Sequence, residues 1–146
     1  MSSMFRGEYT HTIDTKGRMI MPAKLRDSLG ESFIITKGMD GCLMAYDTAE
    51  WEEFEKKLQG LPLTNKNARK LVRHFSGGAM DVDCDGQGRI LVPNNLREYA
   101  GLTKDVVLVG MGNRVEIWSK ARYEEDATYE DMDEVAAALE EMGLGI

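Results

Sequence analysis

Residues 11–30 read HTIDTKGRMIMPAKLRDSLG, and residues 82–101 read VDCDGQGRILVPNNLREYAG. Seven positions of the first stretch recur in the second: Asp14, Gly17, Arg18, Pro22, Leu25, Arg26 and Gly30 return as Asp85, Gly88, Arg89, Pro93, Leu96, Arg97 and Gly101. After a one-residue loop insertion the similarity continues, since Gly38-Met39 matches Gly110-Met111 and Trp51-Glu52-Glu53 matches Tyr123-Glu124-Glu125. A repeat of this length is typical of one folded unit used twice.

Each copy has the pattern of a small β-rich module. In the turn Asp14-x-x-Gly17-Arg18, the aspartate can bond its own backbone and the glycine can supply a positive φ. Pro22 at a first helical position and Gly30 after the last one mark the ends of a short helix. The first copy therefore predicts strands over Phe5–Ile13, Arg18–Met21, Phe33–Thr36 and Cys42–Tyr46, with helices over Ala23–Leu29 and Thr48–Leu58. The second predicts strands over Met80–Cys84, Ile90–Val92, Val106–Val109 and Arg114–Trp118, a helix over Asn94–Ala100 and another from Ser119.

Two amphipathic helices are predicted outside the repeat. The first, over Asn65–Phe75, has one apolar side (Ala68, Leu71, Val72, Phe75) and one basic side (Lys66, Arg69, Lys70, Arg73). The second, over Glu130–Met142, has an apolar stripe of Met132, Val135, Ala136, Leu139 and Met142. The sequence thus predicts an α+β protein, mostly β with short helices. Its parts are a first repeat (4–60), a helical connector (61–78), a second repeat (79–129) and an acidic C-terminal helix (130–146). Because strands this short bury little alone, the two repeats should complete each other's core.

Charge is unevenly distributed along the chain. The net charge is −7, which by itself argues against a nucleic-acid partner. From Glu124 onward, however, there are nine acidic residues and no basic ones, which leaves 18 basic and 16 acidic residues in 1–123, a net charge of +2. The acidic end is either a solvated helix face or a segment that keeps nucleic acid off one side of the molecule.

Other functional classes find little support in the sequence. No secretory signal and no membrane-spanning run is present, so a cytoplasmic location is expected. Cys42 and Cys84 are predicted to be reduced core residues within strands. The run Asp81–Gly86 resembles the start of a calcium loop, but Val92 stands where the bidentate glutamate is required. His11 and His74 have no partners at metal-ligand spacing, and no catalytic motif is found, so we expect no metal, no cofactor, no small-molecule substrate and no enzymatic activity.

The residues of the repeat strongly resemble those of the MraZ family, the two-copy branch of the AbrB/SpoVT-like transcription factors. The motifs concerned are Met4-Phe5-Arg6-Gly7-Glu8, Asp14-x-Lys16-Gly17-Arg18 with Pro22, and Asp85-Gly86-Gln87-Gly88-Arg89 with Pro93. The resemblance covers roughly residues 4–129. It implies a swapped-hairpin β-barrel built from the two halves of one chain, and a ring of protomers. The implied activity is binding to short repeated boxes upstream of the protein's own operon of division and cell-wall genes, usually as a repressor associated with the nucleoid.

Candidate DNA-binding residues lie in and beside the two turns. Arg18 and Arg89 each follow a glycine, and the arginine fork matches O6 and N7 of guanine in the major groove. Lys16 suits a phosphate, and three polar side chains, Thr15, Gln87 and His11, are candidates for backbone or base contacts. Asp14 and Asp85 are expected to form the turns and orient the arginines, since phosphate repels a carboxylate. Gly17, Gly88, Pro22 and Pro93 are assigned to structure only.

Alternatives remain open at this stage. Each Asp–Arg pair could simply close its turn without touching DNA. The whole chain could be a ring-forming protein-interaction scaffold that has no DNA specificity. If protomers do form a ring, the amphipathic segments Thr48–Leu58, Asn65–Phe75 and Glu130–Met142 offer apolar stripes for the contacts between them.

Overall fold

A computed structural model describes residues 4–127 and 131–146 and has the predicted α+β architecture. In chain order its elements are β1 (Glu8–Thr12), β2 (Arg18–Ile20), α1 (Ala23–Leu29), β3 (Ser32–Lys37), β4 (Leu43–Tyr46), α2 (Thr48–Gln59), α3 (Lys66–Phe75), β5 (Met80–Asp83), β6 (Arg89–Leu91), α4 (Asn94–Ala100), β7 (Asp105–Gly110), β8 (Val115–Ser119), α5 (Lys120–Ala127) and α6 (Met132–Glu141). The predicted start of the last helix at Glu130 and the predicted end of the second repeat at 129 lie outside the described residues.

The first strand of each repeat pairs with a strand of the other repeat. Six antiparallel strands form one sheet in the order β1-β7-β8-β4-β3-β5. Strand β1 pairs with β7, from Glu8 opposite Val109 to Thr12 opposite Asp105. Strand β5 pairs in the equivalent way with β3, where Ser32 lies opposite Asp83. This exchange is the swapped arrangement that the resemblance implied.

The second strands of the two repeats, β2 and β6, pair with each other as a separate antiparallel ribbon. Met19 lies opposite Ile90, its equivalent in the other repeat, so an approximate two-fold axis passes between them. Both side chains are buried. The ribbon contacts both edge strands of the larger sheet, β1 and β5. The strand pairing therefore gives one six-stranded sheet and the two-stranded ribbon, and these two sheets enclose one shared core.

That core draws on both repeats about equally. Its fully buried large side chains include Met19, Met21, Phe33, Ile35 and Leu43 from the first, and Ile90, Val92, Leu96, Leu108 and Ile117 from the second. Neither half contains a complete core of its own, as the short strands predicted.

A second cluster corrects the expectation about assembly surfaces. Trp51 and Leu58 of α2 and Phe75 of α3 pack on Ile34, Met44 and Tyr46 of the sheet. The apolar stripes of Thr48–Leu58 and Asn65–Phe75 are thus largely covered within the protomer, because these helices lie on the outer face of β3 and β4. Leu71 is the exception to the predicted pattern, since it is 38% exposed. The stripe of α6 stays exposed at Met132, Val135, Leu139 and Met142.

Two local predictions shift by one residue. Pro22 and Pro93 are N-caps with extended ψ angles of 139° and 147° rather than first helical residues, while the helices span Ala23–Leu29 and Asn94–Ala100 as predicted. Cys42 and Cys84 are free thiols that adjoin β4 and β5 rather than lying inside them. Cys42 is fully buried, and burial raises the pKa of its thiol to about 12, with Glu116 and Asp40 adding to the shift. Among the described helices, none is long and apolar enough to cross a membrane.

Candidate nucleic-acid interface

The turn that joins β1 to β2 is closed by one aspartate. Asp14 Oδ1 accepts hydrogen bonds from the backbone N–H groups of Lys16 and Arg18, both at 2.9 Å. Asp14 Oδ2 accepts a third bond, at 2.9 Å, from Nε of the Arg18 side chain. Gly17 has a φ of 88°, a left-handed conformation that favours glycine. The carboxylate therefore shapes the turn and fixes the arginine together.

The turn between β5 and β6 repeats these contacts. Asp85 Oδ1 accepts from the backbone N–H groups of Gln87 and Arg89, and Oδ2 accepts from Arg89 Nε, all at 2.9 Å. Gly88 has a φ of 76°. Both aspartates use only the Nε of their arginine. Within residues 4–127 and 131–146, no group bonds the terminal Nη nitrogens of Arg18 or Arg89, and the two side chains are 44% and 39% exposed.

These hydrogen bonds also lower the pKa of both carboxyls. For Asp14 and for Asp85, the largest cause is the backbone N–H of the arginine, Arg18 or Arg89, and the arginine side chain adds to it. Both carboxylates therefore remain ionised, and remain acceptors, at any pH near neutrality.

The register of the ribbon brings the two arginines to one face. Arg18 lies opposite Leu91, and Arg89 lies opposite Ile20. Along each strand these residues alternate with the buried Met19 and Ile90, so all four are on the outer side. A shallow depression of about 240 Å³ is lined by His11, Thr12, Asp14, Arg18, Met19, Ile20 and Arg89. Of the predicted site residues, the fold thus gathers His11, Arg18 and Arg89.

The remaining candidates lie at the two ends of the ribbon. Thr15 and Lys16 are exposed on the first turn, and Gln87 is exposed on the second. The Val92 N–H donates to the carbonyl of Gly17 at 2.8 Å, and the Met21 N–H donates to the carbonyl of Gly88 at 3.0 Å. Each turn is therefore bonded to the end of the other repeat's ribbon strand, and the turns flank the ribbon rather than meeting.

Two arginines to which the sequence pattern assigned no role support these turns. Arg97 of α4 donates through Nε to Val92 O at 3.0 Å and through Nη1 to Thr15 O at 3.5 Å. A Cβ on Gly17 would lie 2.7 Å from that Nε. Arg26 of α1 occupies the equivalent place, where a Cβ on Gly88 would overlap its Nη1. The recurrence of Arg26 as Arg97 in the repeat was the available signal, but it did not show what the side chains touch.

Across residues 4–127 and 131–146, no group of three or more histidine, cysteine, aspartate or glutamate side chains is placed to hold a metal ion. The chemistry of this surface is that of two outward guanidinium forks, a nearby imidazole and a lysine.

Comparison with known proteins gives the same family as the repeated Asp-x-x-Gly-Arg motif. The chain matches the family model described as "MraZ protein, putative antitoxin-like" twice, over residues 4–74 and 75–142. A relative from Lachnoclostridium phytofermentans, named Transcriptional regulator MraZ, is 55% identical over 141 residues, which cover 97% of this chain and 99% of the relative. Relatives of the same name from Halothermothrix orenii and Clostridium beijerinckii are 51% and 54% identical over 97% of this chain and their whole length. The chain belongs to the MraZ family.

Proposed function

We propose that this protein is a sequence-specific DNA-binding regulator of transcription, and that the β2–β6 ribbon with its two turns reads the DNA. The observation that carries the proposal is the pair of equivalent arginines, Arg18 and Arg89, each anchored through Nε and partly exposed on the outer face of the ribbon. An arginine fork bonds O6 and N7 of guanine, and the major groove is wide enough for a two-stranded ribbon. The names of the relatives are consistent with this role.

Electrostatics supports the same surface. An ion pair with a carboxylate would normally weaken an arginine's attraction to DNA. Here the aspartates engage Nε only, so the two terminal nitrogens keep their donors for base or phosphate. Lys16 adds a charge suited to phosphate at one end of the ribbon, and Thr15, Gln87 and His11 add polar groups nearby. Nine of the 25 acidic residues, and no basic residue, lie from Glu124 onward, which leaves residues 1–123 with a net charge of +2.

Binding partners and location follow as parts of the proposal. We assign the protein to the cytoplasm, in association with the nucleoid, where it represses its own operon through direct-repeat boxes. Protomers assemble into a ring, for which the exposed stripe of α6 provides an apolar contact surface. That same stripe favours the second candidate function, a protein-interaction scaffold. A scaffold would bind DNA from upstream of its own gene no better than random DNA of equal length.

The decisive experiment removes each fork. Arg18→Ala and Arg89→Ala should each weaken binding to the upstream DNA, since loss of a bidentate guanine contact costs about 1–3 kcal/mol. Affinity is measured by fluorescence anisotropy at fixed salt, and the melting temperature of each variant serves as the control for folding. Unchanged affinity in both variants would contradict the proposal. Weaker binding together with a collapsed melting temperature would show that the arginines only close their turns.

A further inference from the structure

The outer face of the ribbon carries two large apolar side chains between its arginines. Ile20 is 48% exposed and Leu91 is 56% exposed. They are equivalent positions of the two repeats, and each lies directly across the ladder from the other repeat's arginine. Strands of three residues leave four outward positions in the ribbon. Half of them are occupied by aliphatic side chains that the fold leaves in water.

We propose that Ile20 and Leu91 contribute to sequence specificity by contacting the C5-methyl groups of thymine beside the guanines that Arg18 and Arg89 contact. The inference rests on the proposed function and names a further part of its target. The thymine methyl is the one apolar group that a base pair presents in the major groove, and aliphatic side chains recognise it by contact. Arg18 and Arg89 lie on the same face as Ile20 and Leu91, and their positive charges favour DNA as the partner of this apolar pair.

The spacing of the ribbon suits such a contact. Side chains directly opposite each other in an antiparallel ladder have Cβ atoms about 5 Å apart. Successive outward positions along one strand are about 7 Å apart. Neighbouring bases on one strand are separated by about 3.4 Å. An arginine and the aliphatic side chain across from it therefore reach bases about one or two steps apart, so guanine and thymine should be close neighbours in the recognised box.

The test compares DNA with and without the methyl group. The fragment upstream of the protein's own gene is prepared with thymine and again with deoxyuridine, which pairs identically but lacks the methyl. Wild-type protein should bind the deoxyuridine fragment more weakly, by about fourfold for each methyl group that an aliphatic side chain would otherwise cover. The double variant Ile20→Ala with Leu91→Ala should bind both fragments equally. Leu63→Ala, at a side chain 61% exposed outside the ribbon, should keep the wild-type ratio.

Each remaining outcome is decisive. A wild-type ratio near one, or a double-alanine variant that keeps the wild-type ratio, would overturn the inference while leaving DNA binding intact. If wild type showed no preference for the upstream fragment over random DNA, the proposed function itself would fail. A double variant with an altered assembly size in sedimentation and an unchanged ratio would instead make this pair a protein contact. If the double-alanine variant loses its melting transition, the double variant Ile20→Val with Leu91→Val replaces it. In that variant, a ratio of affinities for thymine and deoxyuridine DNA as large as that of wild type contradicts the inference.

Discussion

At the scale of single residues, one carboxylate in each turn bonds both the backbone of the turn and the side chain of its arginine. Asp14 accepts three hydrogen bonds, two from the backbone and one from Arg18, and Asp85 does the same for Arg89. Bonds from N–H groups stabilise the ionised form of a carboxyl group. The favourable contribution of these bonds to folding is therefore present above the unfolded-state pKa of about 3.8, and it is lost as the pH falls through the lowered folded-state pKa.

The pKa values of these carboxyls provide a direct check. By NMR titration, Asp14 and Asp85 should each titrate below 3.8 in the folded protein. In Arg18→Ala the pKa of Asp14 should rise but stay below 3.8, because the backbone bond, which is the larger cause, survives the substitution. Asp85 in the same variant is the internal control and should not move. Titration of wild-type Asp14 at or above 3.8 would show that the turn is not closed in solution.

The repeats also supply a matched pair for the charge on the first turn. Lys16 and Gln87 are equivalent and both exposed. Lys16→Ala should weaken binding to all DNA and lower the slope of log affinity against log salt by about 0.9, the value for one phosphate neutralised by the protein. Gln87→Ala should leave that slope unchanged. A Lys16→Ala variant that preferred a different box and kept its salt dependence would give Lys16 a role in reading bases.

At the scale of elements, each helix that follows a ribbon strand supports the turn of the other repeat. Arg97 on α4 reaches Thr15 and Gly17, and Arg26 on α1 lies against Gly88. The left-handed glycines permit this closeness, since any side chain there would meet the guanidinium. The geometry of the first turn therefore depends on a helix about 80 residues away in sequence.

Arg97→Lys tests this support without changing charge. Lysine has a single terminal nitrogen in place of the Nε and Nη1 that bond Val92 O and Thr15 O, so the first turn should loosen, and specific affinity should fall by about threefold to tenfold, the effect of removing one net hydrogen bond. The salt slope should match wild type, because no phosphate contact is removed. A lysine variant that binds like wild type would show that Arg97 acts only through its charge. Arg69→Lys, on α3 and outside the ribbon, is the control.

The positions of most helices and strands were predictable from the sequence, but which strands pair and which surfaces the helices pack on were not. Gly30 and Gly101 follow the last residues of the two short helices, as the sequence predicted. Proline and glycine mark helix ends through their own backbone conformations, so this signal does not depend on distant contacts. The exchange of β1 and β5 between repeats came only from the family resemblance, since strand patterning predicts that a segment is a strand but not which strand it pairs with. The stripes of α2 and α3 were wrongly assigned to assembly for a related reason. Amphipathicity indicates that a face is buried, but it does not say against what.

At the scale of the molecule, one chain contains both halves of an approximately two-fold ribbon. The axis between Met19 and Ile90 is approximate, because Lys16 has Gln87 as its counterpart and Thr15 has Gly86. In the proposed ring, contacts between protomers would use other surfaces, since head-to-tail contacts that close give rings. Neighbouring protomers in such a ring present their ribbons in the same sense, which suits direct repeats rather than palindromes.

Spacing between boxes tests the ring. Binding to several boxes about 10 base pairs apart should be cooperative, because adjacent ribbons must meet the same face of the DNA. Insertion of about half a helical turn should abolish cooperativity, and insertion of a full turn should largely restore it. Both are measured by titration with wild-type protein, beside its mass from sedimentation. A dimer that prefers an inverted repeat and tolerates the half turn would refute the ring.

The exchange of first strands has a consequence for synthesis on the ribosome. Strand β1 pairs with β7, so Glu8 has no strand partner until Val109, about 100 residues later, has been synthesised. At translation rates of about 5–20 residues per second, that edge stays unpaired for roughly 5–20 seconds. An unpaired strand edge can pair with other chains, so nascent chains on neighbouring ribosomes are at risk of exchanging hairpins with each other. Fusing the two halves in one polypeptide keeps the correct partner at high local concentration once it emerges.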